Sequence, residues 1–381
     1  MIEPHLIRAS EISPRNNECW WENMAWTKLE HSKGQVNRAG DALIALQKDD
    51  PSREEAVAIV DNWRACHSYP LQVVKMTLLV RAKKIQNNAL IAQRLKRRPS
   101  IVIKLRDNPH MKLSQMQDIA GCRAVMPTVA DVRKLVKKYE ESYSKSRKGR
   151  PEWDGSKDFN YIDNPKSDGY RSVHLIIRYN SSSQEHSAYK DQRVEVQIRS
   201  KLQHLWATAV ETAQVFTGQA LKSRVKRASK DWLRFFALVS SAFAQREKCP
   251  IVPDTPEKLD KLIRELRKIA KRERIMDNLR GWSDTIHHLE EQSGPGDDLF
   301  LLILDPSKKL LSITPFGKEN IVEAEAEYKQ AEKETENDPN IQVVLVSVES
   351  VDALRKAYPN YYVDTREFIS AVDRVMGKRK R

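Results

Sequence analysis

The sequence predicts an α+β protein: a mixed sheet flanked by helices, with a small ββαβα unit at the C-terminus. Three observations carry this. Apolar residues recur every three or four positions across much of residues 18–96, alternate at every second position between 173 and 198, and then return to the helical period. Helices on both sides of a sheet are a layered α+β arrangement. The run Ser293-Gly-Pro-Gly-Asp297, the clearest linker in the chain, precedes a second set of short strands. A chain of 381 residues can supply roughly two or three domains with their own cores. The expected division is 1–220, 221–295 and 296–381.

Residues 18–96 are expected to be helical with polar joints. Ser52-Arg-Glu-Glu55 opens a helix with Ser at the N-cap and Glu at the third helical position. His67-Ser68-Tyr69-Pro70 ends it, because a residue before proline is driven out of helical backbone. Leu71, Val74, Leu78, Ala82, Ile85 and Ala89 then form the apolar stripe of one long helix. Asp118 to Met126 reads as a buried strand and Val129 to Tyr143 as an amphipathic helix. Val173, Leu175, Ile177 and Tyr179 alternate with Ser172, His174, Ile176 and Arg178, the period of a strand. After the polar run Asn180 to Gln192, Val194, Val196 and Ile198 alternate with Glu195, Gln197 and Arg199. This makes a hairpin whose second strand presents three polar side chains on one face. Leu202, Leu205, Trp206, Ala209, Val210 and Ala213 make the next helix stripe, and Leu221 to Leu289 a basic helical connector. The C-terminal unit reads as strands Leu299–Leu304 and Leu310–Thr314, helix Asn320–Thr335, strand Ile341–Val348, and helices Val351–Tyr358 and Arg366–Met376. It holds no Cys or His, so it is no Cys/His metal module.

Composition narrows the function. The formal charge of +14 points to polyanionic partners, phosphates or nucleic acid, although a merely soluble basic surface accounts for it equally well. With only 12 glycines, the chain has neither G-x-G-x-x-G nor G-x-x-x-x-G-K-[ST], so any nucleotide must be held by side-chain cations. Cys19, Cys66, Cys122 and Cys249 lie far apart, which fits a reducing cytosol better than a disulfide framework or a zinc site. No signal peptide or membrane span is expected, so the expected location is cytoplasmic.

Three groups of residues point to chemistry. Arg94, Lys96, Arg97, Arg98, Lys104 and Arg106 crowd one helix end, a density that phosphates would neutralise. Asp118 and Glu195, on neighbouring strands, suit Mg²⁺ shared with substrate phosphates. The loop from Tyr161 to His174 carries Tyr161, Lys166 and Tyr170, so an aromatic ring can stack on a base while Lys166 and His174 meet phosphates.

N-P-K-S-D-G-Y-R-S-V-H at 164–174, D-I-A-G-C-R at 118–123, R-L-K-R-R-P-S-I-V-I-K-L at 94–105 and V-E-V-Q-I-R at 194–199 resemble the synthetase domain of the RelA/SpoT family. The resemblance covers roughly residues 34–220. It implies a nucleotidyltransferase-like sheet and transfer of pyrophosphate from ATP to a ribose 3′-hydroxyl. By position it assigns Arg94, Lys96, Lys104, Arg106 and Arg123 to ATP. Asp118 falls on the magnesium carboxylate and Glu195 on the catalytic acid position, while Tyr161, Lys166, Tyr170, His174, Gln197 and Arg199 fall to the acceptor. The His-Asp metal-hydrolase motif of the long bifunctional members is absent.

Small toxic members of the family modify the 3′ CCA end of tRNA, holding it with basic residues outside the pocket. Lys222, Arg224, Lys226 and Arg227 fit that role; their ordinary alternative is a solvated face. The nearest resemblance is to fused toxin-antitoxin proteins of the CapRel phage-defence type. Their C-terminal antitoxin domain resembles a zinc finger without metal ligands and carries a Tyr-x-x-Tyr plug, matched here by Tyr358-Pro359-Asn360-Tyr361. Two tyrosines packing at a helix end would give the same pattern. The resemblance implies an autoinhibited enzyme acting on tRNA, released by a phage protein such as the major capsid protein. The alternative is an alarmone synthetase acting on GDP or GTP.

Overall fold

Three helices lead into the sheet: α1 (Lys33–Ala45), α2 (Pro51–Ala65) and α3 (Ser68–Lys83). The N-cap of α2 is Asp50 rather than the expected Ser52. Asp50 Oδ1 accepts the Ser52 amide at 2.8 Å, and Pro51 takes the first turn, where a missing N–H costs nothing. The stripe expected to reach Ala89 ends with α3 at Lys83, and residues 90–95 form strand β1 (Leu90–Leu95) instead of helix. The run Ala89-Leu-Ile-Ala92 is apolar without interruption, so its period does not separate helix from strand. Arg94 consequently sits on a strand, and only the later cations of that basic run lie on a helix, α4 (Arg98–Asp107).

Then follow β2 (Ala120–Met126), α5 (Val129–Tyr143), the short strands β3 (Glu152–Trp153) and β4 (Phe159–Asn160), the hairpin β5 (Val173–Arg178) and β6 (Arg193–Ser200), and α6 (Lys201–Thr217). Beyond them come α7 (Lys230–Glu247), α8 (Leu259–Arg272), α9 (Ile275–Thr285), β7 (His287–Glu290), β8 (Asp297–Asp305), β9 (Leu310–Gly317), α10 (Ile321–Glu334), β10 (Gln342–Ser347), α11 (Val351–Ala357) and α12 (Arg366–Val375). This computed structural model describes residues 26–47, 50–143, 152–153, 159–217, 230–285, 287–290, 297–305, 307–335, 338, 341–348, 351–358, 362 and 365–377. The linker at 293–297 lies outside them except for its last residue. Among the described residues, no helix is long and apolar enough to cross a membrane.

The described strands pair into one mixed sheet in the order β3-β5-β6-β2-β1-β10-β8-β9-β7, with β4 also on β5. β2 and β6 run parallel, with Gly121 opposite Glu195, while β1 and β5 flank them antiparallel. The C-terminal elements follow the expected order, yet their strands extend this same sheet. β10 joins β1 through the pairs Gln93–Ser347 and Arg94–Val346. Helix α12 crosses back, burying Phe368, Ile369 and Val372 in one cluster with Trp206 of α6, Phe236 and Phe243 of α7 and Leu266 of α8. The stretch expected as a connector is thus part of a core.

Candidate active site

Strands β1, β2 and β6 lie side by side, and the two-residue alternation of each sends one set of side chains to a common face. Ala92 and Arg94 of β1, Gly121 and Arg123 of β2, and Glu195, Gln197 and Arg199 of β6 line a cavity of about 240 Å³. Lys96, Asp118, Cys122, Tyr170, Glu211 and Tyr358 complete its wall.

Asp118 lies just before β2 and takes two ammoniums: Lys96 Nζ at 2.9 Å on Oδ2 and Lys104 Nζ at 2.8 Å on Oδ1. Burial works to raise this carboxyl, but the two lysines prevail and hold it at about 2. Lys96 is shifted down from the ordinary lysine value, because burial and the charges of Lys104 and Arg94 outweigh the help of Asp118.

Glu195 belongs to a closed ring of hydrogen bonds. Its Oε1 meets His174 Nδ1 at 2.8 Å, and its Oε2 accepts Gln197 Nε2 at 2.7 Å. His174 Nε2 lies 2.7 Å from the Tyr170 hydroxyl, which accepts Arg199 Nη2 at 2.8 Å; Arg199 Nη2 also donates to Gln197 Oε1 at 2.7 Å. Burial works to raise the Glu195 carboxyl and nearby Asp118 adds to that, yet the bonds from His174 and Gln197 bring it below the usual glutamate range.

A third set of contacts joins the C-terminal residues to this wall. Arg123 Nη2 donates to the Ala357 carbonyl at 2.7 Å, and its guanidinium lies 5.2 Å from the centre of the Tyr358 ring. His204 Nε2 donates to the Lys356 carbonyl at 3.0 Å, and the Tyr358 hydroxyl donates to the Gln93 carbonyl at 3.0 Å. Arg123 is shifted down to about 10 by burial and by neighbouring Arg199. Buried Nε of Arg123, and Nε and Nη1 of Arg199, have no hydrogen-bond partner among the described residues. Buried guanidinium donors without acceptors are suited to anion oxygens.

The loop before β5 is fixed from below. Arg171 donates to Ser240 Oγ at 3.0 Å, the Ile162 carbonyl at 3.0 Å and the Pro250 carbonyl at 2.6 Å. Gly169 has φ +97, and a Cβ there would come within 2.9 Å of Ser240 Cβ, so only glycine lets the chain pass so close to α7. Tyr170 is thereby set edge-on to Trp206 at 6.5 Å, while Tyr161 stacks on Phe159 at 5.6 Å. Lys166 Nζ sits 4.3 Å from the centre of the Tyr161 ring and 5.4 Å from that of Tyr170.

The structure therefore gathers Arg94, Lys96, Asp118, Arg123, Tyr170, Glu195, Gln197, Arg199 and Tyr358 around one cavity, with Lys104 and His174 each one contact behind. Tyr161 and Lys166 stand beside Tyr170. Arg106 is exposed on α4 and is not part of the cavity wall. Lys222, Arg224, Lys226, Arg227 and Tyr361 lie outside the described residues; of the same basic run, Arg234 is paired with Glu265 at 2.6 Å. Sequence reasoning missed His204, Glu211 and Arg171. The signal for His204 was a histidine four residues before Thr208 on an otherwise apolar stripe; Glu211 resembled any solvated helix carboxylate.

Among the described residues no group of three His, Cys, Asp or Glu side chains is placed to hold a metal ion. Asp118 and Glu195 nonetheless fit Mg²⁺, which takes one or two carboxylates plus substrate phosphates, and both are held ionised.

Two ionised carboxylates, Asp118 and Glu195, share one cavity with several cations, and the family comparison falls on the same strands. Residues 93–217, from β1 through α6, match the family model described as "Region found in RelA / SpoT proteins". The chain is 33% identical over 132 residues to the GTP pyrophosphokinase YjbM of Bacillus subtilis (strain 168), covering 32% of this chain and 55% of that protein. It is 28% identical over 134 residues to Rv1366, an uncharacterized protein of Mycobacterium tuberculosis, covering 35% and 42%. Small alarmone synthetase 2 from Bacillus subtilis aligns with a TM-score of 0.39 at 20% identity, over 49% of this chain and 94% of that one. The chain spans about half the length of the curated relatives it matches.

Proposed function

We propose that this chain transfers pyrophosphate from ATP to a ribose 3′-hydroxyl. The observation that carries the reading is the pair Asp118 and Glu195, both held ionised along one cavity that Lys96, Arg94, Arg123 and Arg199 share. Arg94, Lys96, Lys104 and Arg123 bind the triphosphate and offset the charge that develops on it. Mg²⁺, held by Asp118 and Glu195 together with the phosphates, would supply further charge neutralisation. Glu195 accepts the 3′-hydroxyl proton as that oxygen bonds to the β-phosphorus; the bond from the β-phosphorus to the bridging oxygen of AMP breaks, and AMP leaves. Tyr170, Tyr161 and Lys166 hold the acceptor base.

The acceptor in this reading is the 3′ end of tRNA, and its modification blocks translation. A net charge of +14, more than an ATP pocket needs, favours it. A second reading, GDP or GTP as acceptor, is favoured by the match to a relative named a GTP pyrophosphokinase. Incubation with β-labelled ATP, GDP, GTP and bulk tRNA separates them by which acceptor takes the label. Label in none overturns both.

The C-terminal residues act as an intramolecular inhibitor in this proposal. Backbone carbonyls of Lys356 and Ala357 occupy donors of His204 and Arg123 that an anion would otherwise take. The cavity of about 240 Å³ is below the roughly 300–1,000 Å³ of most ligand pockets, and Tyr358 forms part of its wall. A phage protein, such as the major capsid protein, that binds the C-terminal elements would draw 356–358 away and open the site, a two-state switch in antiviral defence.

A further inference from the structure

Helix α7 lies beyond residues 93–217, so the family match does not reach it, yet it carries the backbone on which Tyr170 is mounted. The contact is a single buried hydroxyl. Ser240 Oγ donates to the Gly169 carbonyl at 2.6 Å and accepts Arg171 Nε at 3.0 Å. Gly169 and Arg171 flank Tyr170, so one oxygen grips the chain before and after the ring that lines the cavity. A carbonyl only accepts and a guanidinium only donates, whereas a hydroxyl does both; alanine at 240 would leave the two without that partner. Arg171 extends the grip to the other aromatic residue of the loop, because its Nη1 donates to the carbonyl of Ile162, next to Tyr161.

The hydroxyl keeps its place because α7 is itself pinned on both sides of it. Trp206 Nε1 of α6 donates to the Phe236 carbonyl at 2.8 Å, and Glu247 accepts from Ser200 Oγ and from Gln203 Nε2. The ring of Phe368 on α12 lies 6.0 Å from that of Phe236 and 6.2 Å from that of Phe243, about one turn either side of Ser240. We infer that Ser240 is a positioning residue for the acceptor, setting the height and tilt of the Tyr170 ring from outside the family-matched region. The Tyr170 hydroxyl is tied separately, to His174 and Arg199, so loss of the Ser240 contact frees the backbone end of the ring and leaves its far end tethered. Lys96, Asp118 and Lys104 hold one another, so the triphosphate side keeps its geometry. The acceptor role rests on the proposed transfer; the setting of the loop does not.

The next residue supplies the control. Ser241 is as deeply buried as Ser240, at 0% and 2% exposure, but its hydroxyl pairs with Thr255 Oγ1 at 2.7 Å and accepts the Val252 amide at 2.9 Å, in the segment that follows α7. Ser240→Ala and Ser241→Ala, made in the full chain, are compared by hydrogen–deuterium exchange and by steady-state kinetics with whichever of GDP, GTP or bulk tRNA takes label from ATP. Ser240→Ala is expected to speed exchange in residues 166–171 and to raise KM for that acceptor about tenfold, with KM for ATP unchanged. Ser241→Ala is expected to lower stability without either effect. Ser240→Cys, of similar size with a weakly bonding sulfur, should fall between wild type and Ser240→Ala, and it carries the same comparison if Ser240→Ala does not fold. Unchanged exchange, a parallel rise of both KM values, or the same changes in Ser241→Ala would each overturn the assignment. If no acceptor takes label, the transfer reading has failed, and exchange at 166–171 alone decides whether Ser240 sets the loop.

Discussion

His174 joins Glu195 to Tyr170: its Nδ1 is 2.8 Å from the Glu195 carboxylate and its Nε2 is 2.7 Å from the Tyr170 hydroxyl. The ring is satisfied when Nδ1–H donates to Glu195 and the hydroxyl, accepting from Arg199, donates to Nε2. In the proposed reaction Tyr170 would have two separable functions, a ring face for the acceptor and a hydroxyl that orients the proton-accepting carboxylate. Tyr170→Phe keeps the face and loses the hydroxyl, so kcat should fall about tenfold, the value of one hydrogen bond, with KM for the acceptor nearly unchanged. Tyr170→Ala should instead raise KM, by the roughly 1–3 kcal/mol of a lost stacking contact. Steady-state kinetics distinguish the two, and a rise in KM in Tyr170→Phe as large as that in Tyr170→Ala would contradict the division.

Asp118 gives a pH dependence with a defined sign. Its folded-state carboxyl is held at about 2, below the ordinary 3.8, so its stabilisation is complete above that ordinary value and is lost as pH falls through about 2. The magnitude is about 2 kcal/mol. Lys96 acts against it, since burial lowers the pKa of its ammonium and makes that charge a cost at neutral pH. Asp118→Asn should therefore flatten the acid limb of stability between pH about 4 and about 2, and destabilise the neutral protein by about 2–3 kcal/mol as Lys96 loses its counter-ion. Urea midpoints measured across that range check both parts.

The segments nearest the chemistry were the most legible in the sequence. Val129–Tyr143 carries the helical period, and the strand around Val196 alternates buried Val194, Val196 and Ile198 with polar Glu195, Gln197 and Arg199; in the strand around Val173 buried Ile176 interrupts the polar face of His174 and Arg178. That alternation also placed Glu195, Gln197 and Arg199 together on one face. The short strand β1 was not legible, because an unbroken apolar run fits either period. The junction of Gln93 with Ser347 was hidden for another reason: it is a pairing of two short stretches far apart in sequence, and neither carries a local signal of its partner. Tyr358 was visible as a pattern, but its seat against Arg123 depends on that pairing, which brings α11 to the strand ends. His204 was hidden because its Nε2 donates to the backbone of Lys356, an acceptor that no residue type announces.

The seat of Tyr358 can be weakened without emptying it. Its hydroxyl donates to the Gln93 carbonyl at 3.0 Å, and its ring is buried in the cluster with Val346 and Leu354. Tyr358→Phe should cost about 1 kcal/mol, while Tyr358→Ala leaves a cavity costing about 3–5 kcal/mol. If the 356–358 segment excludes substrate, Tyr358→Phe should raise the rate of label transfer from ATP by roughly the same factor, about fivefold, with kcat/KM for ATP the quantity to follow. A rate at or below wild type would remove Tyr358 from any inhibitory role.

Glu332 holds α10 against α2 more firmly than Tyr358 holds α11. Its carboxylate meets Arg64 Nη1 at 3.0 Å, accepts the Tyr328 hydroxyl at 2.6 Å and receives the Arg98 amide at 3.2 Å. Arg64 and Glu332 are 4% and 3% exposed at their side chains, so removing one partner leaves a buried charge. Glu332→Ala should destabilise the chain by about 3–5 kcal/mol. The pair Lys201 and Glu367 also links elements far apart in sequence, at 2.9 Å, but its side chains are 58% and 64% exposed and water screens it. Glu367→Ala should shift stability by no more than about 1 kcal/mol. Denaturant unfolding of the two variants measures the contrast directly. It also compares two attachments of the C-terminal elements: α10 through the buried Arg64–Glu332 contact, and α12 through the solvated Lys201–Glu367 pair, the Arg280–Asp373 pair at 3.0 Å and the apolar cluster beneath them.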